Sequence, residues 1–236
     1  MQFFLGALGA LGELGAIPAG NVLPGFADRP SQPLFAYAID PMKLPILRLS
    51  LRTYLLLAAA VIVLAGLVEF AMGRLPICKC GHIRLWVGQV NSSENSQQIA
   101  DWYSFSHIIH GFILYGILHL IARRRNWPLG FCLVLAVILE ASWEILENTP
   151  FIINRYRDYT MSLDYYGDTI LNSMCDILFC VLGFFLARVL PVWVTIGLIV
   201  IMEVGVAIAI RDNLTLNIIM LLHPSEAIKH WQMGRG

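Results

Sequence analysis

Five apolar stretches, each about 20 residues long, constrain this chain more than any other feature of its sequence. They lie near residues 53–72, 105–122, 129–148, 169–187 and 192–210. A helix of about 20 apolar residues crosses the roughly 30 Å of hydrocarbon in a bilayer, and isolated strands cannot satisfy their backbone groups there. The sequence therefore predicts an all-α integral membrane protein, built as a bundle of about five transmembrane helices.

The composition agrees with this class and excludes others. Of the 236 residues, 58% are apolar and only 14% are charged, whereas a soluble domain carries about 25% charged residues. Sixteen Lys and Arg balance sixteen Asp and Glu, so no excess charge favours a nucleic acid. The expected partner of this surface is the lipid bilayer.

Basic residues indicate how the helices are oriented, because short cytoplasmic loops are enriched in Lys and Arg. Arg123–Arg125 directly follow the second span, and Arg188 lies in the fourth-to-fifth connection. Lys43, Arg48 and Arg52 precede the first span. All three placements predict that the N-terminal end is inside and the C-terminal end outside.

The first 41 residues differ from the rest. They are apolar and Gly-rich but lack the basic start of a secretory signal, and Glu13, Pro18 and Pro24 interrupt their apolar run. Met42 and Lys43 resemble a natural start, with positive charge ahead of the first span. We expect residues 1–41 to be a non-essential extension or a mis-called start, and residues 42–236 to form a single membrane helical domain.

Polar side chains in three of the spans recur at helical spacing, so each set occupies one face of its helix. The sets are His107 and His110; Glu140, Glu144 and Glu147; and Asp168, Asn172 and Asp176. A charged group at the middle of a membrane helix costs about 2.5–3.5 kcal/mol. We therefore expect the three faces to meet in one outer-facing polar cavity.

Two chemistries fit such a cavity, because its carboxylates cannot all be ionised without compensation. In the first, a divalent zinc, manganese or iron ion holds a nucleophilic water. The predicted ligands are His107, His110, Glu144 and Asp168. In the second, a protonated glutamate acts as general acid or base beside an ionised partner. In both, these four residues form the predicted reacting centre.

Further polar residues are predicted to support this centre, either as ligands or as a layer around them. These are Asp101, Glu140, Glu147, Asn172 and Asp176. Asp101 also suits the N-cap of the second helix while facing the histidines. Arg155 and Arg157 are predicted to bind an anionic head group. The expected substrate is a lipid-linked or cell-envelope molecule that is bound, hydrolysed or transferred.

A structural role is the alternative. Polar residues inside a membrane also hold helices together, each stabilising the bundle by about 0.6 kcal/mol on average. The protein would then be a non-catalytic membrane subunit that scaffolds or stabilises a larger complex. A small permease is disfavoured, because the chain lacks the repeated halves of many transporters.

The cysteines leave several interpretations open. Cys78 and Cys80 are separated by one residue and lie on the predicted outer, oxidising side. Strain argues against a bridge between them, which leaves soft-metal binding or pairing with another cysteine. Cys132, Cys175 and Cys180 fall in spans, where small apolar packing residues are expected.

Several longer motifs resemble a family of uncharacterised bacterial multi-pass inner-membrane proteins. They are Leu75-Pro-Ile-Cys-Lys-Cys-Gly81, Ser93-Glu-Asn-Ser-Gln97, Asp101-Trp-Tyr with Ser106-His-Ile-Ile-His-Gly111, Glu144-Ile-Leu-Glu-Asn-Thr-Pro150 and Tyr166-Gly-Asp-Thr-Ile-Leu-Asn-Ser173. The resemblance runs from about Met42 to the C-terminal end. It implies a location in the bacterial inner membrane and carries no assigned activity.

A looser resemblance connects the chain to VanZ-like membrane proteins, which are linked with resistance to glycopeptide antibiotics. The residues that carry it, in order, are Asp101, His107, Glu144, Arg155, Asp168, Asn172 and Gly183. The likeness implies the same outer cavity and names no substrate.

Overall fold

The computed structural model describes residues 45–160 and 165–234, so the predictions about residues 1–41 lie outside the described residues. The helices are α1 (Leu51–Ala71), α2 (Ser104–Arg125), α3 (Leu129–Glu147), α4 (Pro150–Tyr159), α5 (Ile170–Val189), α6 (Val192–Ile210), α7 (Leu214–Leu222) and α8 (Glu226–Gln232). Among them, α1, α2, α3, α5 and α6 are long and apolar enough to cross a membrane. The predicted all-α membrane bundle is confirmed.

Local signals in the sequence define where these helices begin. Ser50 and Thr169 cap α1 and α5, and each hydroxyl accepts a backbone N–H three residues on, at 3.2 Å. Pro128 and Pro191 immediately precede α3 and α6, where a proline cannot continue the previous helix. The spans are therefore separated by short turns on this side of the bundle.

The apolar core lies between α1, α3 and α5. Its fully buried members include Tyr54, Ala58, Leu133, Val137, Ile177 and Phe184. Gly130 lets the ring of Tyr54 lie directly against α3, because a Cβ at this position would come within 2.6 Å of the tyrosine Cγ. These contacts hold α1, α3 and α5 together, and α2 packs mainly against α5.

Two glycines bring α2 and α5 into backbone contact. A Cβ on Gly111 would lie 2.6 Å from the backbone nitrogen of Phe184. A Cβ on Gly183 would lie 2.9 Å from the carbonyl carbon of Ile108. Small residues at such contacts let membrane helices approach closely. Here the two glycines fix the position of α2 along α5.

The last spanning helix is mostly exposed. Within α6 only Thr195 and Val206 are buried. Near its end, the carboxylate of Glu203 accepts the backbone N–H groups of Leu214 and Thr215, both at 3.1 Å. This carboxylate therefore holds the start of the short helix α7.

A buried carboxylate attaches the C-terminal helices to the bundle. Asp212 is fully buried, and it accepts hydrogen bonds from Tyr103, Asn217 and Gln232 at 3.1, 3.2 and 2.9 Å. These donors come from the start of α2, from α7 and from α8. One side chain thus joins three separate segments.

The connection between α1 and α2 corrects one expectation about the cysteines. The structure joins Cys78 to Cys80 in a disulfide, although strain argues against a bridge across one residue. The chain reverses direction here, since Gly81 has φ of +77° and its N–H donates to the carbonyl of Cys78. The turn brings the two Cα atoms to 5.2 Å, within the usual range for a disulfide.

Candidate functional site

A cavity of about 350 Å³ lies at the end of the bundle where α2 begins. Its lining has polar and apolar side chains, here called the polar wall and the apolar wall. The polar residues that line it include His107, His110, Glu140, Glu147, Asp168 and Asp176, with Ser106, Tyr103, Tyr156 and Tyr165. The apolar lining is Ile113, Leu114, Leu139, Leu214 and Ile218. Helices α2, α3, α5 and α7 all contribute.

Two histidines converge on one glutamate in the polar wall. The Nδ1 atoms of His107 and His110 lie 2.7 and 2.9 Å from Oε1 of Glu140, and His110 also lies 3.1 Å from Oε2. The two imidazoles meet edge to face, with centroids 5.4 Å apart. His107 and Glu140 are buried, while His110 is half-buried and faces the cavity.

Glu144 lies behind this group. Its Oε1 is 3.2 Å from Nδ1 of His107, and the side chain is only 1% exposed. It does not line the cavity. The carboxylate nearest to the histidines therefore differs from the predicted one. Glu140 contacts both histidines, whereas Glu144 contacts His107 and does not line the cavity.

Asp176 approaches the same histidine from α5. Its Oδ1 accepts a hydrogen bond from the Ser104 hydroxyl at 3.2 Å. Its Oδ2 lies 3.8 Å from Nε2 of His107. The two ring nitrogens of His107 are thus flanked by carboxylates from different helices.

Asp168 occupies a separate part of the wall. The hydroxyl of Tyr165 donates to both carboxylate oxygens at 3.0 Å, and Nδ2 of Asn148 donates at 3.0 Å. Burial raises the pKa of Asp168 to about 7, although the hydrogen bonds from Tyr165 and Asn148 act in the opposite direction. Asp168 is therefore not brought to the histidines as the predicted metal set requires.

Glu147 also lines the cavity, where Tyr156 and Trp143 face its carboxylate. Burial and the neighbouring Glu147 raise the pKa of Tyr156 well above its ordinary value, so its hydroxyl stays protonated. The Trp143 ring also meets His110 edge to face, at 6.5 Å between centroids.

Four residues predicted for the site lie elsewhere. The carboxylate of Asp101 accepts the backbone N–H groups of Ser96 and Tyr103, at 2.9 and 2.8 Å, and holds the turn before α2. Asn172 donates to the carbonyl of Gln98 at 2.9 Å. These polar groups order the loop above the cavity without lining it.

The two arginines predicted to bind a head group also lie outside the lining of the cavity. Arg155 donates to the carbonyl of Leu221 and lies over the ring of Tyr159, 5.1 Å from its centroid. Arg157 is exposed. The segment that carries them is the helix α4, and neither side chain lines the cavity. In the described part of the chain, no Lys or Arg lines it.

The sequence-based reasoning missed the residues that position Asp168. The guanidinium of Arg74 donates to the carbonyl of Tyr166 at 2.5 Å, and it passes so close to Gly167 that a Cβ there would meet it. Asn148 also accepts the backbone N–H of Asp168 at 2.7 Å. The sequence does contain a signal for Asn148. This residue follows Glu144 by four positions, so helical spacing places it on the same face as the three glutamates.

Comparison with known proteins now places the chain in a family. Residues 69–234 match the family model described as "Protein of unknown function (DUF2585)". The chain belongs to this family. A UPF0314 protein of Rhizobium johnstonii is 55% identical over 175 residues, which cover 74% of this chain and 89% of the relative. The uncharacterised bacterial family expected from the motifs is confirmed.

Other relatives carry the same designation. A UPF0314 protein of Sphingopyxis alaskensis is 53% identical over 183 residues, covering 78% of this chain and 96% of the relative. One of Paracoccus denitrificans is 52% identical over 172 residues, covering 73% and 88%. No solved structure matches the chain. The VanZ-like resemblance is not shown by these matches and stays a prediction.

Proposed function

We propose that this protein binds an amphipathic, lipid-linked or cell-envelope molecule in the cavity and acts on it by acid–base chemistry, in the bacterial inner membrane. One observation carries the proposal: His107 and His110 converge on Glu140 in a cavity whose lining also includes apolar side chains from α2, α3 and α7. Ligand sites in proteins commonly combine an apolar lining with a few converging polar groups.

The apolar wall continues onto the outside of the bundle. Ile113, Leu139 and Ile218 line the cavity and are 45%, 51% and 47% exposed. A hydrocarbon chain in the bilayer can therefore contact the surface that leads into the cavity. This feature favours a lipid-linked molecule over a small soluble one.

The polar wall defines the other end of the ligand. Carboxylates and tyrosine hydroxyls line it, and a bare anionic head group would meet repulsion from Glu140, Glu147 and Asp168. We therefore propose a polar end that bears hydroxyl or amine groups. In a hydrolysis, one group of the cluster takes a proton from the attacking water and another returns a proton to the leaving group.

The first test is the identity of what co-purifies. The protein in lipid nanodiscs is extracted, and the bound molecules are identified by mass spectrometry. Ile113→Trp fills the apolar wall and is expected to abolish retention, while Ile117→Trp, exposed one turn further along α2, retains the molecule. Equal retention by both variants contradicts the proposal. A stoichiometric protein partner without any small molecule favours the scaffold alternative.

The second test concerns the reaction. Lipid extracts are compared between a deletion strain and the same strain complemented with wild type, Glu140→Gln or Glu69→Gln. Glu69 is buried on α1 and does not line the cavity. A species that accumulates in the deletion strain is expected to persist with Glu140→Gln and to disappear with wild type and Glu69→Gln. Complementation by Glu140→Gln contradicts acid–base chemistry at this residue.

A further inference from the structure

We propose that His107, His110, Glu140 and Glu144 bind one divalent transition-metal ion, with zinc the best match to the ligand set. This inference deepens the proposed function, because the ion lies in the same reactive cluster. It replaces the ligand set predicted from the sequence by exchanging Asp168 for Glu140.

The geometry of the cluster is the first argument. His107, His110 and Glu140 each offer an atom, and these atoms lie within 4.8 Å of one another. Both histidines present the same ring nitrogen, Nδ1, to Oε1 of Glu140. Oε1 of Glu144 lies 3.2 Å from Nδ1 of His107. Two imidazole nitrogens and Oε1 of Glu140 therefore lie together between α2 and α3, with Oε1 of Glu144 beside His107.

The second argument is a buried carboxylate oxygen of Glu144 that accepts no hydrogen bond from the described residues. Oε1 of Glu144 is buried and has no hydrogen-bond partner among the described residues. The one hydrogen that Nδ1 of His107 can carry is directed to Glu140, which is closer. An unpaired buried oxygen is unfavourable, and more so when it is charged. A cation between the four atoms satisfies it directly.

Ligand chemistry identifies the class of ion. Imidazole nitrogens and carboxylate oxygens together suit zinc and its neighbours better than calcium or magnesium. Bonds of about 2.0–2.1 Å place the ligands of a tetrahedral ion about 3.3 Å apart. The separations of 2.7, 2.9 and 3.2 Å are close to this value.

The third argument is the carboxylate that lies near the second ring nitrogen of His107. A histidine that binds metal through one nitrogen usually directs the other to a carboxylate or carbonyl. Nε2 of His107 lies 3.8 Å from Oδ2 of Asp176, which the Ser104 hydroxyl holds in place. His110 borders the cavity, so a water or a ligand oxygen can reach the ion from that side.

The test measures metal in the full-length protein, purified without chelators. Elemental mass spectrometry is expected to find about one ion per chain. In the protein stripped of metal, Co²⁺ is expected to give the visible absorption of a low-symmetry site. His110→Gln and Glu144→Gln are expected to weaken Zn²⁺ binding at least tenfold. Glu147→Gln and Glu69→Gln are the matched controls and are expected to retain it.

Size-exclusion profiles and thermal unfolding confirm that each variant is folded. Metal content that is equal in all four variants indicates an adventitious ion only and overturns the proposal. Absence of metal, with no Co²⁺ spectrum, also overturns it and assigns a proton to Glu144 instead. Retention of an amphipathic molecule without metal refutes the metal site alone. Metal without any retained molecule refutes the proposed function alone.

Discussion

Glu140 accepts contacts from both histidines, so the arrangement of the polar wall depends on this residue. Its neighbours cannot replace it, because Glu144 is directed to the buried side of His107 and Glu147 faces Tyr156 and Trp143. A single carboxylate therefore fixes the orientation of two imidazole rings.

We expect Glu140→Ala to destabilise the folded protein by about 2–3 kcal/mol, because two buried or half-buried imidazole rings lose the carboxylate that both contact. Ser142→Ala is the control on the same helix, since Ser142 is exposed and its hydroxyl donates to the carbonyl of Ile138. Unfolding in detergent, followed by circular dichroism, measures both. Equal stability of the two variants would show that the rings do not depend on Glu140.

Asp168 is expected to change its charge near neutral pH. Its pKa of about 7 means that the carboxyl is protonated at pH 6 and ionised at pH 8. A hydrophobic carbodiimide reacts with the protonated form, so labelling of Asp168 should fall about tenfold between these pH values. Peptide mass spectrometry measures it, and Asp168→Asn removes the labelled peptide. Constant labelling from pH 6 to pH 8 contradicts the raised pKa.

The helices of this bundle are positioned by small residues as much as by apolar ones. Gly111 and Gly183 place α2 against α5 at backbone distance. Because His107 and His110 lie within one turn of Gly111, the same contact sets the level at which the histidines meet α3.

Gly111→Ala and Gly183→Ala are each expected to destabilise the bundle by about 1–3 kcal/mol, because the helices must move apart. Gly116→Ala, also on α2, is expected to be neutral, since nothing lies within 4 Å of its added Cβ. Thermal unfolding in detergent compares the three. A neutral Gly111→Ala would contradict the close approach of α2 and α5.

These contacts also explain what the sequence could and could not predict. Apolar length identifies the spans, and helical spacing places Glu140, Glu144 and Glu147 on one face. The pattern does not say which glutamate meets the histidines, because that depends on how far α2 is shifted along α3. This shift follows from tertiary contacts at Gly111 and Gly183 that no periodicity reveals.

The cavity and the basic residues Arg123–Arg125 lie at opposite ends of α2. His107 precedes Arg125 by 18 residues, which is about 27 Å of helix. Arg123–Arg125 end this helix and are exposed. The positive-inside tendency therefore predicts a cavity on the outer side of the membrane.

We test this orientation by cysteine labelling in spheroplasts with a membrane-impermeant maleimide. Ser93→Cys, in the exposed loop near the cavity, is expected to react in intact spheroplasts. Arg125→Cys is expected to react only after lysis. The unsubstituted protein gives the background from its own cysteines. The reverse pattern would place the cavity on the cytoplasmic side.

The contact between His107 and Glu140 can form early in the synthesis of the chain. His107 and Glu140 are 33 residues apart on consecutive spans, so they can meet as soon as the α2–α3 hairpin has left the ribosome. An unpaired carboxylate in a membrane span costs about 2.5–3.5 kcal/mol, and here its partner is already inserted. Leu214 and Ile218, which belong to the apolar wall, are translated much later. The growing chain can therefore pair Glu140 with His107 before Asp176 and the residues of α7 have been made.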